Sequence, residues 1–226
     1  LIMEGARLIG EEKLLDTNFR FSQRVRAVEG AESEVLNGVL IGKERLSRQM
    51  PLELEGNISV MVLDDALEPE EVGNIALATE SGFQQHLVMK EEFKDNIKKL
   101  VHSGVQAIFV DRGVDDLAAE LLEEAGILVV ARVPHRELTD LAEHCGAKLL
   151  KRTALRKPLE ELQKQFGTAT HIIGNEKLSQ VKVLGGNGKK MATILVGATT
   201  GEVVGEKERI AKDAAASVQS ALQKGL

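Results

Sequence analysis

Along the middle of the chain, short continuous apolar runs alternate with stretches of helical periodicity, and the two ends follow other patterns. From Glu34 onward, 35–41 and 58–63 read as strands, because unbroken runs rich in Val, Ile and Leu suit a sheet covered on both faces. The stretch 70–103 reads as largely helical, best defined by Phe93, Ile97, Leu100 and Val101, with Gly104 placed to end it. A strand at 107–110, a helix at 115–125 closed by Gly126, a strand at 127–133, a helix at 135–144 closed by Gly146 and a short strand at 147–150 follow. That order predicts consecutive parallel crossovers in an α/β layer structure.

At the N-terminal end, 4–15 puts Leu8, Ile9 and Leu15 on one stripe, which predicts a single short amphipathic helix. Phe19, Phe21, Val25 and Ala27 then alternate with Arg20, Ser22, Arg24 and Arg26, a half-buried strand interrupted at Gln23. The polar stretch 29–34 marks a boundary. After Pro158 come a short helix at 159–166 and strands at 171–173, 181–184 and 191–196. Gly185, Gly186, Asn187 and Gly188 predict a hairpin between the last two, since Asn-Gly is favoured turn chemistry. A final helix at 206–223 carries Ile210, Ala214, Val218, Ala221 and Leu222 on one stripe.

Composition narrows the class. The 226 residues are 43% hydrophobic and 28% charged, which argues against disorder, and no apolar run approaches the ~20 residues of a membrane span. The one cysteine, Cys145, excludes an intrachain disulfide and a multi-Cys zinc site and fits a reducing, cytoplasmic compartment. A net charge of −6, six Phe and no Trp or Tyr argue against nucleic acid as a partner. The chain starts at Leu1 with no charged segment before an apolar one, so a signal peptide is not expected and a piece of a larger protein is.

Three features invite chemistry. The run Gly185 to Lys190 suggests a phosphate loop, but no Ser or Thr follows the lysines and the run leads into a strand, so the turn reading is preferred. Asp64, Asp65 and Asp111 end predicted strands, and at the C-terminal edge of a parallel sheet they could converge as a receiver-like or metal-dependent phosphoryl acceptor. Asp at strand ends also starts turns and caps helices, the commoner reason for its presence. The five histidines show no metal-binding pair, and Cys145, next to the Gly146 cap, reads as a small buried residue rather than a nucleophile.

Beyond these patterns, long stretches resemble the chaperonin family. From Met191 to Gly225 the chain is similar to the family's return from apical to intermediate domain: a strand, a VGA-T element here at Val196 to Thr199, and a charged helix carrying Asp213 and Ala214 and ending in Gly225. Asn37 to Gln49 with Met50 and Pro51 resembles a GIVIDKE-like strand followed by Met-Pro, and Val62 to Leu67 the LLDASL-like turn. Gly104 to Val133, with Ala125, Gly126 and Ile127, resembles the apical strand, helix and strand. His135 to Leu149 is similar to an RRxDLExLAxxTGA-like helix in which Cys145 replaces Thr. The length between Asp65 and Gly104 suits the helical protrusion of lid-bearing chaperonins, while Gly197 to Thr199 is nearer the group I VGAAT, a mixture that resembles the bacterial group III lineage.

The resemblance implies an α/β apical domain at 30–196 with a protrusion at about 68–93, and a small α+β intermediate domain built from 1–29 and 197–226. It implies a substrate-binding, lid-forming and hinge portion of an ATP-dependent folding machine. Ile75, Leu77, Phe83, Leu87, Val88 and Met89 would then be the client and lid surface, and Asp213 the carboxylate that positions water for hydrolysis. ATP and Mg belong to the full-length protein, since the GDGTT-like and GGG-like nucleotide motifs are missing here. Unfolded polypeptides and sibling subunits of a double ring are the implied partners. In the helix at 115–125, Leu117, Ala118, Leu121 and Leu122 are expected to face inward, leaving Glu120, Glu123 and Glu124 outward, so no separate lid co-chaperonin is expected.

Overall fold

The computed structural model describes residues 1–71, 73 and 78–226. Its described residues form a nine-stranded sheet with helices on both sides. The strands are β1 (Val25–Glu29), β2 (Glu34–Ile41), β3 (Glu53–Leu63), β4 (Ala107–Val110), β5 (Leu128–Val130), β6 (Leu149–Leu150), β7 (Gly167–Asn175), β8 (Gln180–Leu184) and β9 (Ala192–Ala198). The helices are α1 (Ile2–Ile9), α2 (Glu11–Leu15), α3 (Glu80–Val101), α4 (Asp116–Glu124), α5 (His135–Cys145), α6 (Leu159–Gln163) and α7 (Gly201–Gln223).

Strand order is β1-β9-β2-β8-β7-β3-β4-β5, with β6 alongside β3. The expected crossovers are present: β3, β4 and β5 run parallel, with α3 and α4 between them in sequence. Asp115 caps α4 by accepting from Leu117 N at 3.0 Å, and Gly146 ends α5 at φ 69°. Phe93, Ile97 and Leu100 of α3, Ala118 and Leu122 of α4, and Leu138 and Leu141 of α5 cover the sheet and form the large core.

A second, separate core gathers Ala6, Ile9, Leu14, Phe21, Val25, Ala192, Ile194 and Ala215, so both chain ends meet around β1 and β9. β2 joins the two: Glu34 to Asn37 pair with β9, and Gly38 to Ile41 with β8. At the changeover a Cβ on Gly38 would lie 1.9 Å from the Val183 carbonyl oxygen, so only glycine fits.

Several local expectations are corrected. The single N-terminal helix is two, broken at Gly10, whose φ of 88° suits glycine. Phe19 to Arg24 is not strand: Phe21–Arg24 is a 3-10 turn and pairing starts at Val25. Helix in the 70–103 region begins at Glu80 among the described residues, where the Thr79 hydroxyl accepts from Gly82 N at 3.1 Å. Leu117 is exposed rather than inward, because only Ala118 and Leu122 point straight at the sheet. The stripe of α7 is also shifted. Ala211, Ala215, Val218 and Leu222 face the core, and Ile210 is 53% exposed.

The hairpin at 185–188 is absent. β8 and β9 do not pair with each other; each pairs with a different half of β2, and the loop between them is captured by α5. Gly188 N donates to His144 O at 2.8 Å, Lys189 N to Glu143 O at 2.8 Å, and Gly186 N to His144 Nε2 at 2.9 Å. Free carbonyls at a helix C-terminus need donors, and this loop supplies them.

Candidate functional site

The first candidate is the start of α3. Phe83, Leu87 and Val88 are 51%, 42% and 64% exposed, whereas Phe93, Ile97 and Leu100 of the same helix are buried. One helix therefore has a C-terminal half anchored in the core and an N-terminal half that offers apolar side chains to solvent. Met89 is half-buried, beside Phe93 in a narrow crevice also lined by Pro69 and Leu155. Ile75 and Leu77 lie outside the described residues.

The second is the strand edge. Asp64 and Asp111, at the ends of β3 and β4, do converge, and they are joined by His135 at the start of α5. Asp64 Oδ1 lies 3.0 Å from His135 Nδ1, and Lys151 Nζ donates to Asp64 Oδ2 at 2.9 Å. The hydrogen bond from Lys151 is the main reason the Asp64 carboxyl sits below the usual carboxylate range. Asp65 does not join them. It accepts from Arg152 N at 3.1 Å and the Arg152 guanidinium at 3.2 Å. Burial pushes Asp65 up, but these donors and Ala66 N outweigh it and hold its carboxyl low. Asp64 and Asp65 are thus committed to Lys151 and Arg152, which tie the β3 edge to the segment after β6. His135 was missed in the sequence because a lone histidine opening a helix has no spacing signal. Glu53, Glu55 and His171 form a second, more exposed group across β3 and β7, with His171 Nε2 2.7 Å from Glu53 Oε1.

The third is the outer face of α7. Asp213 is exposed, as its sequence position implied, and Arg209 Nη1 donates to it at 3.3 Å from one turn earlier. The opposite face is pinned by a buried amide: Gln219 Nε2 donates to Leu14 O at 3.0 Å and Phe19 O at 2.9 Å, while its Oε1 accepts from Phe21 N at 3.0 Å. This clasp joins the two chain ends and had no hydrophobic signature to reveal it.

The GGNGKK loop and Cys145 offer no reactive site. Cys145 is 1% exposed and burial pushes its thiol up to about 12, so it is not a thiolate at neutral pH. The backbone N–H groups of Gly186, Gly188 and Lys189 are all spent on His144 and Glu143 and cannot cradle a phosphate. The 185–190 loop is therefore not a phosphate cradle.

A parallel-edged α/β sheet with a half-exposed helix is thus joined to a small core made from both chain ends. The TCP-1/cpn60 chaperonin family model matches residues 7–226, and the chain belongs to that family. It is 30% identical over 238 residues to thermosome subunit alpha of Archaeoglobus fulgidus, covering 100% of this chain and 42% of that protein. With thermosome subunit beta of the same organism it shares 34% identity over 199 residues, covering 86% of this chain and 36% of the relative. The crystal structure of a group III chaperonin in the open state matches at a TM-score of 0.91 with 42% identity, over 98% of this chain and 44% of that one. An open-state group II chaperonin monomer from Methanococcoides burtonii shares the fold at a TM-score of 0.68 and 23% identity. The chain thus spans about two fifths of the length of the thermosome subunits it matches. The phosphoryl-acceptor alternative is not supported: the family match accounts for nearly the whole chain, and Asp65 is paired with Arg152 rather than with Asp64 and Asp111.

Proposed function

We propose that this chain is the client-capturing, lid-forming and hinge portion of an ATP-dependent protein-folding chaperonin. The observation that carries the reading is α3, anchored through Phe93, Ile97 and Leu100 while Phe83, Leu87 and Val88 stay in water. Monomeric soluble proteins seldom leave such groups together without a partner. Residues 30–196 serve as apical domain and 1–29 with 197–226 as intermediate domain. The clients are unfolded polypeptides, which offer apolar segments to the Phe83 face; sibling subunits of a double ring meet the same face when the lid closes. Glu120, Glu123 and Glu124 on α4 make a poor seat for a separate lid protein, because burying carboxylates is costly. ATP and Mg are held by the remainder of the protein, and the setting is the cytoplasm. Asp213, on the free face of α7, holds and orients the attacking water there.

Fully burying a large aliphatic or aromatic side chain is worth about 1.5–3 kcal/mol, and these three are about half exposed, so together they contribute ~3 kcal/mol. In the complete protein, Phe83→Ser, Leu87→Ser and Val88→Ser combined should weaken capture of a chemically unfolded client by about tenfold or more, with assembly unchanged. Capture equal to the parent would refute the reading.

A further inference from the structure

Two groups of side chains among the described residues bring three metal-ligating atoms within 4.8 Å of one another. Asp64, Asp111 and His135 already have cations beside them: Lys151 Nζ lies 2.9 Å from Asp64 Oδ2 and Arg112 Nε 3.8 Å from Asp111 Oδ2. A fixed ammonium repels an incoming cation, which disfavours metal there. Glu53, Glu55 and His171 differ. Among the described residues neither glutamate is paired with a lysine or arginine, and Lys182, on the strand next to His171, is held by Glu34.

Backbone register builds this group. Glu53 and Glu55 stand two apart on β3, so both side chains leave the same face. In the antiparallel pairing of β3 with β7, His171 lies directly opposite Glu55 and diagonally from Glu53. Its Nε2 is 2.7 Å from Glu53 Oε1 and 3.7 Å from Glu55 Oε1. Donor atoms around a four-coordinate zinc, bonded at about 2.0–2.1 Å, stand ~3.3 Å apart, which falls between these two distances. Both glutamates are exposed and His171 is half-buried, so small rotations of the glutamate side chains close the difference.

A 2.7 Å approach between an imidazole nitrogen and a carboxylate oxygen carries a shared proton, and a divalent cation can take that proton's place. One imidazole with two carboxylates suits zinc and its neighbours in the transition series, whereas magnesium and calcium prefer oxygen ligands throughout. Three protein ligands leave the remaining positions to water. The location bears on the sheet as well. Past Glu55 the ladder is irregular, with Gly56 at φ 106° and pairing resumed only at Ile58. The start of β3 is therefore tied to β7 by the pairs Glu53–Ile173, Leu54–Ile172 and Glu55–His171, and the ligands come from the first and last of them.

We propose that Glu53, Glu55 and His171 bind a zinc-class divalent cation, which clips the start of β3 to β7. The site is separate from client capture and from ATP hydrolysis. Its test takes the complete protein, stripped with a chelator and free of nucleotide and magnesium, and titrates it with cobalt(II), followed by visible absorption, and then with zinc. The parent should bind one cation per subunit more than His171→Ala. Even an outer partner of a ligand is worth about 10–100-fold, so His171→Ala, and separately Glu53→Gln with Glu55→Gln, should weaken this site by about a hundredfold or more. Zinc should displace the cobalt and slow amide exchange at 171–173, and magnesium at equal concentration should do neither. None of the three residues is buried, so assembly of both variants should match the parent. Equal cobalt and zinc binding by the parent and both variants overturns the site, as does displacement of the cobalt by magnesium.

Discussion

Replacing Gln219 by Leu tests whether both ends of the chain form one cooperative unit. The Gln219 side chain makes three bonds to backbone atoms of residues 14–21, at 3.0, 2.9 and 3.0 Å, and the residue is 6% exposed. Leucine fills similar space but bonds nothing. Leu14 O keeps a partner in Gln223 Nε2 at 3.2 Å, which leaves Phe19 O and Phe21 N to be counted as orphans. A buried backbone group deprived of its partner costs about 1–3 kcal/mol, so the two orphans set a loss of roughly 2–4 kcal/mol after partial relaxation toward water. Chemical unfolding of the complete protein, followed by hydrogen exchange at the amides of Leu14 to Val25, separates this unit from the rest. Protection there should fall by about thirtyfold or more, while the amides of β4 stay as in the parent. If exchange at 14–25 is unaltered, the clasp does not hold the termini together and the two-ended unit is wrong.

Two further outcomes follow from the same geometry. Asp213→Ala in the complete protein should leave ATP binding and assembly intact and lower turnover by about 10² or more, the scale of a positioned catalytic group, read in a steady-state phosphate-release assay; near-normal turnover removes Asp213 from the mechanism. Burial holds His144 below the usual histidine value, with Nε2 accepting from Gly186 N and Nδ1 facing Lys189 O at 3.0 Å. The unfolded chain then binds the proton more readily, so the neutral ring's stabilisation is full above pH ~6.5 and declines as pH falls below it. Urea titrations should show a gentler loss in that range for His144→Gln than for the parent, and parallel pH profiles would contradict the assignment.

How much was legible depended on whether local pattern or distant contact decided the structure. The parallel crossovers were readable because Asp115, Gly126 and Gly146 mark helix ends and the strands between them are wholly apolar. The face of α7 was misread because Ala211, Ala214, Ala215, Ala216 and Ala221 occur all round the helix and carry little periodic signal, while the residue that anchors it is the polar Gln219. The 185–188 turn was misread because Asn-Gly favours a hairpin locally, yet the carbonyls ending α5 claim the same N–H groups. Asp213 and the exposed start of α3 were reached through resemblance, and physical pattern alone would have left the first as an ion pair with Arg209. The ion pairs Arg24–Asp140 and Arg26–Glu137 left no trace in the sequence. Arg24 and Arg26 read as the polar side of a strand, and their partners lie more than a hundred residues away.

The central claim is that this chain supplies both capture surface and lid to an ATP-driven folding cycle. Its most direct test is refolding of a chemically denatured client by the complete protein with ATP and Mg and no second protein added. The account predicts that client is held without nucleotide and released in folded, active form when ATP is supplied. Release that ignores ATP, or folding that needs a separate lid protein, would contradict it.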